Sequence, residues 1–358
     1  MSIYKKNLSK IDYLMKLPSN HELLVISFFV TNPEALVKLK AQWDRRDAEH
    51  KRYLGRSKEE YRAVSSKTFG GSISLIDPNR LSLGFISEIK CPVATGTYYH
   101  RTKNLLYVGS NKWVRKIKHG KIIDSLGNNL FNDIHSLSEN LRGNLLITSS
   151  GVDAILEINL DDPRKIVWDW FATENGYNKT PTGKVRVIDR ELNYQKLTTT
   201  TPEHTTHINS CLNYKQNKIL ATLFHQGELV EIDIETKRSK ILLRGLKCPH
   251  FIRGRREGYL ISDTRNNRVL LLDKNFKIRR IFKNGYDWVQ DTIELSNGNF
   301  VIGDSNNDRI VRVDESGKEL EILQMEKSSR KIFSFLTITK NEAVDIFGIK
   351  NQIKYHPK

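Results

Sequence analysis

Residues 291–323 read DTIELSNGNFVIGDSNNDRIVRVDESGKELEIL, and this stretch decides the fold. An alternating run, Thr292 to Leu295, meets a turn at Asn297-Gly298-Asn299 and then the apolar run Phe300-Val301-Ile302. Asp304 to Arg309 makes the next turn, Ile310 to Val313 the next strand, and Glu319 to Leu323 a fourth beyond Glu315-Ser316-Gly317. Alternation of period two, punctuated by Asn, Gly and Asp, is what a four-stranded antiparallel meander requires. The same pattern recurs upstream as GYLISDTRNNRVLLLDKNFKIRRIF, KILATLFHQGELVEIDIETKRSKILL, GNLLITSSGVDAILEINLDDPRKIVW and NLLYVGSNKWVRKIKHGKII. Repeats of about 40 residues, each a sheet unable to bury both faces alone, point to a β-propeller.

Working outward, the first repeat is irregular. Leu23 to Phe29, Gly71 to Asp77 and Ser82 to Ile89 supply its strands, with the charged segment 32–68 between the first two. Pro33 at a first helical position, Asn32 as its cap, and Ala35, Leu36, Leu39 and Trp43 at helical spacing predict a helical insertion broken near Gly55. Five clear repeats and this irregular one give an all-β, six-bladed propeller as a single domain over 1–358. Closing the ring removes open sheet edges. Either the tail from Phe333 or Ile11 to Leu17 supplies the innermost strand of blade one, and seven blades remain the minor alternative.

A second insertion, 171–206, separates blades three and four, and a connection this long is usually functional or disordered. In a blade, the link between the middle strands opens on the same face as the link to the next blade. Both insertions are therefore expected over one mouth of the channel, as a lid over a site.

The composition bounds the setting. No window approaches the roughly 18 apolar residues of a membrane span. The first residues lack a signal peptide's apolar core, and Cys91, Cys211 and Cys248 show no disulfide or metal-type spacing. These features lead to the expectation of a reduced, cytoplasmic protein with no membrane partner. The formal charge of +17 reads as lysines and arginines spread along the chain. Nucleic acid is indicated by nothing beyond that charge.

Aligning the blades at the start of each innermost strand puts His135 (DIHSL), His207 (TTHIN), His250 (CPHFI) and Asp291 (VQDTI) in one register, with Val93 in blade two. Innermost strands line the channel, so these side chains are expected to converge on the axis. Three imidazoles and a carboxylate suit a divalent transition metal, zinc or iron(II). An open position on that ion is the catalytic arrangement. The other reading is a set of histidines that plug the channel by hydrogen bonding. Loop positions at the mouth add His225 in LFHQGEL as an acid, base or substrate ligand. They also add His204 as a lid histidine, and Arg265 (with Arg253) either as a partner for an anionic group or as a plain surface residue.

The turns Asp263 to Arg268 (DTRNNR) and Asp304 to Arg309 (DSNNDR) resemble those of NHL-type six-bladed propellers. Within that group, His135, His207 and His250 look like the channel histidines of peptidyl-hydroxyglycine amidating lyase, whose zinc lies at the axis. The resemblance implies the fold and a central metal. Asp291 is additional here, and no residue matches that enzyme's catalytic tyrosine. The expected function is that of a metal-dependent lyase or hydrolase at the channel mouth, with iron-dependent oxidative chemistry still open. Its substrate would be a small molecule or peptide, an anionic one included. The alternative is a non-catalytic propeller scaffold for a protein or anionic partner.

Overall fold

The computed structural model describes residues 10–50, 68–162 and 164–349, with backbone alone for 43–50. It contains six four-stranded antiparallel sheets. In blades two to six the four strands follow one another along the chain, as the meander pattern predicts. Blade one is assembled from both ends of the chain. Lys331–Thr339 pairs with Glu22–Val30, which pairs with Ser72–Ile76 and then Ser87–Lys90. The C-terminal tail therefore supplies the innermost strand and closes the ring at six blades. The other candidate for closure, 11–17, is largely helical instead (residues 10–16), and its Ile11 and Leu14 join the cluster beneath blades one and two.

Strand burial follows from the stacking of blades face to face. Middle strands are covered on both sides, so Leu145–Ser149 and Ala154–Ile158 are buried along their whole length. Outer strands have little to pack against, and four of the five residues of Ile278–Phe282 are exposed. The core is a ring of clusters between neighbouring blades. Leu260, Val269 and Leu271 of blade five meet Phe300, Ile302, Val311 and Val313 of blade six in one of them. Each such side chain contributes about 1.5–3 kcal/mol on burial. Trp168 and Trp170 of blade three donate their indole N–H groups to the carbonyls of Ile234 (2.8 Å) and Lys237 (2.9 Å) in blade four. They tie blade three to blade four. Arg268 and Arg309 brace their turns, each donating from Nε to the Asp that opens it, Asp263 (2.7 Å) and Asp304 (2.6 Å).

The helix Pro33–His50 forms where its cap predicts, with Asn32 Oδ1 accepting from the backbone N–H of Glu34 (3.1 Å) and Ala35 (3.3 Å). Its Lys40 reaches Ser328 Oγ (3.1 Å) and Asp308 (3.6 Å), the latter beside the middle turn of blade six. The break near Gly55 lies outside the described residues. The 171–206 segment is irregular but tethered. Tyr194 donates its N–H to the Asn129 carbonyl (2.7 Å) and Gln195 Nε2 donates to that of Lys112 (2.7 Å). The segment thus crosses blades two and three before it reaches blade four.

The innermost strands share a local geometry that fixes which residues are equivalent. Val93, Asp133, His207, Cys248 and Trp288 each have left-handed backbone, with φ between 49° and 61°. One strand residue follows, and the ladder then slips around Thr95, His135, Asn209 and Gln290. In blade five the His250 N–H donates to the Ser262 carbonyl, while the Ser262 N–H donates to the Phe251 carbonyl, so His250 is the bulged residue there. A bulge of this kind bends the strand and re-aims one side chain.

Candidate metal centre

That equivalence corrects the expected register. His135 and His250 occupy the same bulged position. His207 stands two residues earlier in the pattern, level with Asp133 and with Val93 of blade two. Asp291 stands one residue later, level with Gly96 and Ser136. The four expected ligands are therefore not four copies of one position.

Asp291 also has its lone pairs in use. It is fully buried. Its Oδ1 accepts from Arg253 Nε (3.1 Å) and the Thr292 N–H (2.8 Å). Its Oδ2 accepts from Arg253 Nη2 and from the Phe335 N–H (2.8 Å). A carboxylate with four donors on two oxygens is a structural anion. Arg253, read from sequence as a partner for a substrate anion, is Asp291's own counter-ion.

What the structure gathers is a different set: Asp133, His204 and His207 each bring a ligand atom within 4.8 Å of the others'. His204 Nδ1 and His207 Nδ1 are 2.7 Å apart, and Asp133 Oδ2 is 3.9 Å from His207 Nδ1. His135 packs against His207 with ring centroids 4.5 Å apart, and His225 lies 6.0 Å from it. His250 is not in this set; the ring of Phe224 is 5.1 Å from that of His207 and 5.7 Å from that of His250. Arg265 stands exposed on the middle turn of blade five.

His204 arrives at the mouth because of Asp153. This buried carboxylate accepts from the N–H groups of Thr205 (2.7 Å), Thr206 (2.8 Å) and His207 (2.9 Å), and from Thr206 Oγ1 (2.9 Å). Arg186 of the 171–206 segment adds Nη1 at 2.6 Å. Burial works against charge on Asp153, but His204, Arg186 and these N–H groups outweigh it and hold the carboxyl below its usual range. One anion thereby pins the end of the insertion and the left-handed turn at His207.

The hydrogen-bond network fixes the tautomers. Asn132 Nδ2 donates to the carbonyls of Tyr194 (2.6 Å) and Leu197 (3.0 Å), so its Oδ1 accepts from Thr199 Oγ1 (2.8 Å). Having donated its proton, the Thr199 hydroxyl accepts from His204 Nε2 (3.0 Å). His204 therefore directs a bare Nδ1 at His207. His135 and His250 each donate Nδ1–H to the carbonyl two residues back, Asp133 (2.9 Å) and Cys248 (3.0 Å), which leaves Nε2 bare. His225 donates from Nε2 to the Thr201 carbonyl (2.9 Å), so its lone pair is on Nδ1. A backbone acceptor on one nitrogen that sets the other for a ligand is the usual support of a metal-binding histidine.

Burial also sets the charge. It lowers His204 to about 4 and His250 to about 3, and it carries His207, surrounded by other histidines, well below the ordinary imidazole value. Neutral imidazole is the form that binds a cation. The donor set of two nitrogens and one carboxylate oxygen fits zinc or iron(II) by chemistry. Asp133, Asp153 and Thr199 were not singled out from the sequence. The DIH spacing, which puts a carboxylate two residues before His135, was the one available signal.

No protein-family model matches this chain, and no curated protein matches it. Solved structures do. A protein of unknown function from Bacteroides caccae is 16% identical with a TM-score of 0.53, covering 75% of this chain and 94% of its own. A structure of a nidogen/laminin complex is 10% identical with a TM-score of 0.52, covering 75% and 94%. Virginiamycin B lyase from Staphylococcus aureus is 12% identical with a TM-score of 0.45, covering 65% and 70%. At these identities the first two likenesses show the six-bladed propeller fold and nothing about activity. Among the described residues, no helix is long and apolar enough to cross a membrane.

Proposed function

We propose that Asp133, His204 and His207 hold a divalent transition metal, zinc or iron(II), and that the chain is a metal-dependent enzyme of lyase or hydrolase type. The observation that carries this reading is the pair of imidazole nitrogens 2.7 Å apart, one made bare by a chain of hydrogen bonds that begins at Asn132. Such an ion supplies Lewis acidity, polarising a substrate oxygen or lowering the pKa of a water. The protein's part is to hold the imidazoles neutral, to pack Phe224 against His207 (5.1 Å) and Phe333 against His135 (5.4 Å), and to offer a proton acceptor. His135, its ring 4.5 Å from that of His207, offers Nε2 as an acceptor beside the cluster, and a small-molecule or peptide substrate would meet it at the mouth.

The likeness to NHL-type propellers rests on the Asp–Arg pairs of the turns in blades five and six. The likeness to amidating lyase is narrower than three histidines in one register, because His207 and His135 differ by two positions. It supports a metal near the axis and no particular substrate.

The test is elemental analysis of protein purified without added metal. The proposal expects close to one zinc or iron per chain in the wild type, with most of it lost in His204→Ala and His207→Ala while β-sheet circular dichroism persists. A wild-type protein that stays metal-free even after incubation with zinc and with iron(II) would leave His204 and His207 as a hydrogen-bonded plug.

A further inference from the structure

We propose that the outer rim of blades four and five binds the phosphate backbone of a nucleic-acid duplex. The positive charge is not spread evenly over the chain. Residues 237–283 hold fifteen lysines and arginines against three carboxylates, a net +12 of the chain's +17. The next stretch, 286–326, holds ten carboxylates against three basic residues, a net −7. Some of the cations in 237–283 are internal, as Arg253 is on Asp291 and Arg268 on Asp263. Lys237 and Arg255 are likewise paired, with Asp169 and Glu294, and eight of the rest lie on or beside two neighbouring outer strands, Ser239–Leu243 and Ile278–Phe282, where Arg244 also meets Glu228 and Arg279 meets Asp273. Arg238, Lys240 and Arg244 flank or lie on the first, and Lys274, Lys277, Arg279, Arg280 and Lys283 follow the second, all exposed.

Charge on an open edge strand also discourages edge-to-edge pairing. That requirement does not choose a sign, and the outer strand of blade six meets it with Glu319 and Glu321. A single sign on two adjacent edges calls for an anionic partner. Two rows of cations on adjacent blades suit a partner of dense negative charge, and a duplex carries about one phosphate per 1.7 Å of axis. No aromatic residue of 237–283 is exposed: Phe251 and Phe282 are buried, and Tyr259 and Phe276 half-buried. Base stacking, which single-stranded binding uses, is therefore not offered, and neither is the aromatic anchoring of a membrane-surface protein. Binding of this kind reads charge and carries no sequence preference.

The experiment is fluorescence anisotropy of a labelled 24-base-pair duplex titrated with the full chain across a range of salt. The triple variant Lys274→Ala/Lys277→Ala/Lys283→Ala is compared with Lys90→Ala/Lys121→Ala/Lys165→Ala, exposed lysines on blades one to three. The slope of log affinity against log salt should become shallower by about 3 in the rim variant, roughly one for each phosphate that no longer meets a lysine. The control should keep the wild-type slope. Equal weakening in both variants would mean that net charge alone binds, and the proposal falls. It falls equally if the wild type ignores the duplex at low salt, or prefers vesicles of anionic lipid to it.

Discussion

Blades four and six enter their innermost strands with the same left-handed residue and the same bulge, and put them to opposite uses. In blade four the left-handed residue is His207, neutral through burial, with Nδ1 2.7 Å from the bare Nδ1 of His204. In blade six the polar residue, Asp291, lies further along and is closed off by Arg253 and two backbone N–H groups. Similar residue types at similar places in two repeats thus play different parts. What separates them is whether a lone pair is still available after the protein's own donors have been served.

The largest effect that would break this contrast is on the blade-six side. Removing one member of a buried ion pair costs about 3–5 kcal/mol, because the other charge stays buried without its partner. Arg253→Ala should lose that much in urea denaturation, and Arg253→Met/Asp291→Leu should recover a good part of it. Metal content, in whatever fraction folds, should be unchanged by Asp291→Asn. Loss of metal in Asp291→Asn at full stability would return Asp291 to the site.

On the blade-four side, the contrast depends on Asp153 holding 205–207. Asp153→Asn keeps the shape but turns an N–H group towards backbone N–H groups. Supports of this order are worth about 10–100-fold in metal affinity. A chelator competition should show that loss, and unchanged affinity would mean that His204 is positioned by something else.

A smaller effect is the dependence on pH. His204, His207 and His250 bind protons less readily when folded than the ordinary value near 6.5, with His204 at about 4 and His250 at about 3. Between those limits the unfolded chain carries more protons, so stability rises with pH and is lost as pH falls from about 6.5 towards 4. Each histidine adds at most about 1.4 kcal/mol per pH unit in that window. Thermal melts of metal-free protein should follow that direction, and His250→Gln should flatten the curve. A melting temperature that rises on acidification to pH 5 would contradict the neutral cluster.

The propeller was legible in the sequence because each blade repeats its own turn chemistry, DTRNNR and DSNNDR most plainly. Ring closure was not, since 11–17 and the tail from Phe333 are both apolar and only packing decides between them. The histidines were legible as a group, yet their alignment was not. The bulge inserts a residue without changing the apolar pattern, so a count from the Asn/Gly turn slips by one at Asp291 and by two at His207. Asp133 and Asp153 were hidden for a related reason. Each acts through a backbone bend and a loop from elsewhere in the chain, and neither leaves a periodic trace. The chain's total of +17 shows that it is basic but not where, and the contrast between the basic rim and the acidic blade six emerges only blade by blade.

The most direct test of the account is anomalous diffraction from crystals of the protein soaked with zinc, recorded on both sides of the zinc absorption edge. One dominant peak is expected at the mouth, about 2.0–2.2 Å from His204 Nδ1, His207 Nδ1 and an Asp133 carboxylate oxygen. A peak held instead by His135 Nε2 and His250 Nε2, or no peak with the two Nδ1 atoms still hydrogen-bonded to each other, would contradict it.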